Sequence, residues 1–315
     1  MAAYIKLVNS ANLTRDEWLE RRRDGIGGSD IGAIAGLNPF RGAFDVYIDK
    51  TIGRPDDSSA NGAIYWGTVL EPVVAKEFEK QTGKQVRRCN YILQSRKSAF
   101  AFADVDRMIA GENAGLECKT TCAFNYREWE NGEVPASYIA QCQWYMYVTG
   151  CERWYIACLI GGQNFVRHTI ERDDELISML VGIGREFWKN NVLAGVPPEP
   201  DASRTCCDYI KSRFAADSGG SVLLTGELAK AAEEIVEIKK QEKLLKGRRT
   251  CLENKVKLYM GGASRGECAR LETTWKTQRG APRLDVEALI RDYEIDNIRD
   301  YYTETKIRKF DIKEK

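Results

Sequence analysis

Two short apolar runs carry charge where a buried strand has no use for it. The first reads Ala103-Asp104-Val105-Asp106-Arg107-Met108-Ile109 and the second Gly115-Leu116-Glu117-Cys118-Lys119-Thr120, with the turn-rich stretch Ala110 to Ala114 between them. Read as a hairpin, this segment brings Asp106 next to Glu117. Strand alternation then puts Glu117 and Lys119 on one face. Two carboxylates can hold a hard divalent cation through oxygen, and a neighbouring ammonium can orient a water or stabilise developing phosphate charge. The alternative is a hairpin whose acids and base merely pair across strands.

The remainder of the chain narrows the chemistry. Its 315 residues allow one large domain and a smaller one, and 43% hydrophobic with 30% charged residues describes a globular protein. No apolar run reaches the length of a bilayer span and Met1 to Lys6 does not read as a signal peptide, so a cytoplasmic protein without a membrane segment is expected. The ten cysteines include no C-x-x-C pair, which argues for reduced thiols rather than structural zinc. His168 is the single histidine and sits in a strand-like run. Triads and His-based metal motifs are therefore excluded, and catalysis must run on carboxylates, Lys and metal. A net charge of +1 excludes a general electrostatic coat for nucleic acid; binding would need a local basic groove.

Helices are expected over Thr14 to Arg23 with Thr14 as N-cap, from Ser29 to Ala35 with Ser29 as N-cap, over Phe44 to Thr51, and over Ala63 to Thr82. Gly53 to Asn61 reads as a polar loop. Strands follow over Val86 to Leu93, Ser98 to Ile109, Gly115 to Thr121, Arg153 to Ile160 and Asn164 to Ile170. They are interrupted by a helix at Ala136 to Thr149 and closed by another at Asp173 to Leu193. This order predicts an α/β core with a mixed central sheet flanked by helices, spanning 1–205. A linker is expected over 206–222. The extension 223–315 should begin with a long heptad-like helix packed on its own protein and end in a small α+β appendage with a strand at Lys306 to Ile312.

Three further elements could complete a site. Glu71 follows Trp66-Gly67 on a helix and offers a third carboxylate, although a lone helical Glu is ordinarily a surface residue. Gln143 and Tyr147 are one helical turn apart and share a face; they could contact phosphate or hold catalytic groups, while Tyr147 alone reads as core. Arg22 leads into the Gly-rich turn before Ser29, where a guanidinium, a hydroxyl and free backbone N–H groups could cradle a phosphate, or simply form a solvated turn.

In order, Arg22-x-x-x-Ile26-Gly27-Gly28-Ser29, Trp66-Gly67-x-x-x-Glu71, Val105-Asp106, Leu116-Glu117-Cys118-Lys119 and Tyr138-Ile139-Ala140-Gln141-Cys142-Gln143-x-x-x-Tyr147 resemble the YqaJ-type viral recombinase family, which includes the phage lambda-type alkaline exonuclease. The resemblance runs from about Arg22 to Arg185 and implies a PD-(D/E)xK restriction-endonuclease-like core. It implies a Mg²⁺-dependent enzyme, with Mn²⁺ as substitute, that degrades linear double-stranded DNA from its 5′ ends and leaves 3′ single-stranded tails. On that basis Asp106, Glu117, Glu71 and the Cys118 carbonyl would bind metal and Lys119 would position water. Gln143 would lie beside Lys119, and Arg22 and Ser29 would hold the 5′-phosphate. It further implies a phage or prophage protein in a bacterial host, a homo-oligomer such as a ring-shaped trimer, and a single-strand annealing recombinase of the RecT or Beta type as partner. The chain departs from the pattern at Val105, where Pro is usual, and at Asn125, where a basic phosphate contact is usual and Arg127 is close by. The competing functions are another PD-(D/E)xK endonuclease or end-processing nuclease, and an inactive module that binds DNA ends.

Overall fold

The computed structural model describes residues 2–53, 62–280, 284–293, 295, 297–302 and 310–312. It divides into two units, Met1–Ile210 and Lys211–Lys315. The polar loop expected up to Asn61 falls largely outside the described residues, as does most of the strand expected at Lys306 to Ile312.

The first unit opens with strand β1 (Tyr4–Asn9) and helices α1 (Arg15–Arg22), α2 (Gly28–Ile34), α3 (Ala43–Thr51) and α4 (Gly62–Thr82). Thr14 caps α1 as expected: its hydroxyl accepts from the Glu17 N–H, and the Glu17 side chain accepts from the Thr14 N–H. Then come β2 (Val86–Arg88), β3 (Tyr91–Ser95), β4 (Phe102–Ala103), β5 (Arg107–Ile109), β6 (Ala114–Thr121), α5 (Ala136–Thr149), β7 (Arg153–Ile160), β8 (Asn164–Glu171), α6 (Asp174–Phe187) and α7 (Arg204–Arg213). The first turns of α7 occupy the start of the stretch expected as a linker, with Cys206 buried.

The main sheet is five-stranded and mixed, in the order β2-β5-β6-β7-β8, with β6 and β7 parallel and the other pairs antiparallel. A second sheet, β1-β3-β4, holds strands that the sequence pattern had run together with those of the first. The stretch Val86 to Leu93 is two strands rather than one, and so is Ser98 to Ile109, where the chain crosses from β4 to β5 and leaves Asp106 in the break. All ten cysteines are free thiols.

Strand β6 is central and its two faces are packed differently. Ala114 and Leu116 join Val74, Ala75 and Phe78 of α4 in one cluster. Residues 115, 117 and 119 point to the other face, beneath α5. Helix α5 is buried almost all round, with Trp144, Met146, Cys142 and Val148 fully enclosed in the larger core.

The second unit contains α8 (Glu227–Met260), the antiparallel pair β9 (Arg265–Glu267) and β10 (Glu272–Thr274), and α9 (Val286–Asp292). The long helix is present, but none of its 34 residues is buried, so the packing expected for it is not found among the described residues. No helix among the described residues is long and apolar enough to cross a membrane.

Gly115 carries the closest approach in the sheet. Its register partner on β7 is Trp154, and a Cβ at Gly115 would stand 2.2 Å from the indole ring. The ring cannot retreat, because Trp154 is fully buried and packs on Tyr145 at 5.3 Å between centroids. Gly115→Ala should lower stability by about 1–3 kcal/mol through overpacking, read as a lower urea midpoint with an unchanged slope.

Candidate active site

The β5–β6 pairing performs the juxtaposition the sequence suggests. Arg107 faces Leu116 and Met108 faces Gly115 across the antiparallel pair. Asp106, one residue before β5, turns its carboxylate onto β6, where Oδ2 accepts the Cys118 N–H at 2.7 Å. Alternation places Glu117 and Lys119 side by side under α5, with Lys119 Nζ 2.6 Å from Glu117 Oε1. Lys119 Nζ also lies over the Tyr138 ring, 4.8 Å from its centroid.

Glu117 is 3% exposed, and its two oxygens fare differently. Oε1 pairs with Lys119 and accepts from Gln141 Nε2 at 2.6 Å. Oε2 is buried with no hydrogen-bond partner. Burial pushes the Asp106 carboxyl well above the ordinary range, and the charges of Glu117 and Glu71 push it the same way. Burial alone would depress the Lys119 ammonium, yet Glu117 and Asp106 outweigh it and hold Lys119 above its usual value. Lys119 therefore stays charged, while burial and the neighbouring acids favour the protonated form of Asp106.

Glu71 does not join them as a free ligand. Its Oε1 is 2.5 Å from Arg107 Nη1, and Arg88 Nη2 stands 3.8 Å away. Among the described residues no group of three His, Cys, Asp or Glu side chains is placed to hold a metal ion. Arg107 takes Glu71 and Lys119 takes one oxygen of Glu117, which leaves Glu117 Oε2 unanswered. An uncommitted buried oxygen on Glu117, beside an Asp106 raised by its neighbours, fits a divalent cation held by these two carboxylates.

The glutamine facing Lys119 is Gln141, not Gln143. Gln141 Oε1 accepts from Lys119 Nζ at 3.2 Å, and its Nε2 donates to Glu117 and to the Tyr145 hydroxyl, the latter at 2.8 Å. Gln143 lies two residues on, across the helix. There its Nε2 donates to the Glu171 carbonyl at 2.8 Å and its Oε1 accepts the Asp173 N–H at 3.0 Å, pinning the end of β8 to the start of α6. Tyr147 shares a hydrogen bond of 2.7 Å with Ser98 Oγ and packs on Trp144. Among the described residues neither Gln143 nor Tyr147 hydrogen-bonds to Glu117 or Lys119.

Arg22 and Ser29 do meet: Arg22 Nη2 donates to Ser29 Oγ at 3.3 Å. Ser29 is not the N-cap, however. Helix α2 starts one residue earlier, and the cap is Gly27, whose N–H is received by Asp30 Oδ2 at 2.9 Å. Asp30 in the first turn supplies the reciprocal carboxylate and frees the Ser29 hydroxyl for Arg22.

These residues fall within a segment that matches a family model. Residues 17–152 match the YqaJ-like viral recombinase domain. Over 311 residues the chain is 42% identical to the YqaJ protein of Bacillus subtilis (strain 168), covering 98% of this chain and 97% of that one. The chain belongs to the YqaJ family. Solved structures similar to it include the alkaline exonuclease LHK-Exo from Laribacter hongkongensis, at 19% identity and a TM-score of 0.48 over 64% of this chain and 98% of that one. LHK-Exo in complex with dAMP matches at 22% identity and a TM-score of 0.49 with the same coverage.

The two glutamines of α5 are separable by experiment. Gln143→Ala should cost about 1 kcal/mol, because it removes two part-buried hydrogen bonds, to the Glu171 carbonyl and from the Asp173 N–H. It should keep whatever rise in melting temperature Mg²⁺ gives the parent. Gln141→Ala should shrink that rise, since it loosens the carboxylate that would bind the cation. The reverse pattern in a thermal-shift titration would return Gln143 to the site.

Proposed function

We propose that this YqaJ-family protein is a Mg²⁺-dependent 5′-to-3′ exonuclease on linear double-stranded DNA, with Mn²⁺ able to substitute. The observation that carries the reading is the buried, partnerless Oε2 of Glu117 between Asp106 and a charged Lys119. Such a pair of carboxylates is costly without a cation and useful with one.

Asp106 and Glu117 are the side chains that would hold the metal, with the Cys118 carbonyl as a further oxygen. The cation, when bound, supplies Lewis-acid polarisation of the phosphate and of an attacking water. Glu71, occupied by Arg107, contributes negative charge at the edge of the site. Lys119 keeps its proton at Nζ, from which it can donate a hydrogen bond to a water and to an anionic phosphate oxygen. Gln141 locks both: its amide holds Glu117 through Nε2 and Lys119 through Oε1. Arg22 and Ser29, joined at 3.3 Å, present a guanidinium and a hydroxyl suited to a terminal 5′-phosphate. Removal of the 5′-ended strand leaves a 3′ single-stranded tail, the substrate of an annealing recombinase, and a ring of three copies would keep the duplex threaded through repeated cuts.

The direct test is digestion of 5′-phosphorylated linear, 5′-hydroxyl linear and covalently closed circular duplexes, with Mg²⁺ or EDTA. Linear DNA should be degraded from its 5′ ends only with Mg²⁺, faster when phosphorylated, and the circle should survive. Glu117→Gln should lower the rate by on the order of a hundredfold or more while the protein stays folded. Cutting of the circle would favour an endonuclease. Parental activity of Glu117→Gln would remove the two-carboxylate mechanism.

A further inference from the structure

We propose that Asp30, acting with Lys50, is the positioning centre of the phosphate clamp: it fixes Arg22 and Ser29 for a DNA 5′ end without itself touching the DNA. This deepens the reading above and rests on it.

Asp30 is 1% exposed, and each of its oxygens is committed. Oδ2 accepts the Gly27 N–H at 2.9 Å, lies 2.7 Å from Lys50 Nζ and 3.6 Å from Arg22 Nη2. Oδ1 is 2.8 Å from Arg41 Nη1. Lys50 is nearly as buried, and its Nζ also donates to the Arg22 carbonyl at 2.7 Å. One buried pair thus holds Arg22 twice, Lys50 by the main chain at the end of α1 and Asp30 by the guanidinium.

The remaining contacts of that guanidinium complete its orientation. Nε is 3.5 Å from Asp104 Oδ2, and the group lies over the Trp18 ring at 4.7 Å from its centroid. Nη2 is shared between Ser29 and Asp30, which leaves Nη1 without a hydrogen bond or ion pair among the described residues. Arg22, Arg41 and Lys50 line a cleft of about 310 Å³ together with the acids Asp16, Glu20, Asp30 and Asp49, and Ser29 lies outside that lining.

A buried Asp–Lys pair is a poor device for stability alone. Desolvation of the two ions offsets most of their attraction, and a neutral pair of similar shape often folds as well. What a neutral pair cannot do is hold the guanidiniums of Arg22 and Arg41 on one carboxylate. Without the Asp30 charge, Arg22, Arg41 and Lys50 would repel one another, and Arg22 would turn from Ser29 toward Asp104 or solvent. The Asp30 carboxylate is 1% exposed and surrounded by Arg22, Arg41 and Lys50, so its charge is spent on the cations it organises.

The test is the double variant Asp30→Asn/Lys50→Met, which removes both charges and leaves neither partner stranded. Parent and variant are compared for binding of duplex oligonucleotides with a 5′-phosphate or a 5′-hydroxyl in EDTA, and for digestion of the same ends with Mg²⁺. The variant should remain folded, while the preference for the phosphorylated end falls by about tenfold or to parity in binding, the loss expected when one charge-assisted phosphate contact is misaligned. Lys50→Met alone, which keeps Asp30 paired with Arg41, should give a smaller loss in the same direction and serves if the double variant does not fold. An undiminished preference in either folded variant overturns the proposal, and so does an equal loss on both kinds of end, which is the mark of a merely structural pair. A parent with no phosphate preference would instead overturn the clamp itself, and the role of Asp30 with it.

Discussion

Glu117 is taken out of water with only one of its oxygens answered. Such a burial is tolerated where surrounding structure over-determines it, and the arrangement of the first unit can be read as the means of doing so. The β5–β6 pair brings Asp106 across to the same place, α5 lays Gln141 and Tyr145 over it, and α4 closes the opposite face of the strand with Val74 and Phe78. Arg107 takes Glu71 and Lys119 takes Oε1. What remains is a buried, unanswered oxygen on Glu117 beside Asp106, the feature on which the proposed cation site rests.

Much of this was legible in the residues, and for a definite reason. Strand alternation has a period of two, so acids and a base at 117 and 119 within an apolar run must share a face, and a turn-rich gap dictates a hairpin. The helical partner was legible only as an element. Helix α5 buries nine of its 14 residues, so it has no solvent face from which to fix its rotation. Gln141 and Gln143 are both buried, and nothing in an all-round apolar helix tells which faces β6 and which faces β8. The spacing of Gln143 and Tyr147 correctly marks a shared helical turn and says nothing of what lies against it.

Two other misreadings have the same origin in local ambiguity. Val86 to Leu93 is a strand-like run with no turn residue strong enough to divide it, yet the chain changes sheet at Cys89-Asn90 between β2 and β3. Ser29 is a good cap residue by type, yet Gly27 with the Asp30 carboxylate closes the same turn. An Asp in a first helical turn reads as a complement to the helix dipole. Its partners, Arg41 and Lys50, lie 11 and 20 residues further on, beyond the reach of any local rule.

The two sites are joined through the same face of α5. Gly28, the first residue of α2, sits so close to that helix that a Cβ would stand 2.5 Å from the Tyr145 ring and 2.9 Å from Gln141 Cγ. Ser29 follows it directly, and Tyr145 and Gln141 are the pair that secures Glu117. Trp144, the next residue round the helix, donates its indole N–H to the carbonyls of Ile26 and Phe102, tying the turn before α2 to the strand that leads to Asp106. Clamp and carboxylates are therefore spaced by a few side chains packed without slack, rather than by loops. Because packed interiors transmit displacement instead of absorbing it, the spacing between the Arg22–Ser29 pair and the Asp106–Glu117 carboxylates is a property of the core. On the proposed function, repeated removal of units from one end would need such a fixed spacing, and it is set here where a side chain on Gly28 would not fit.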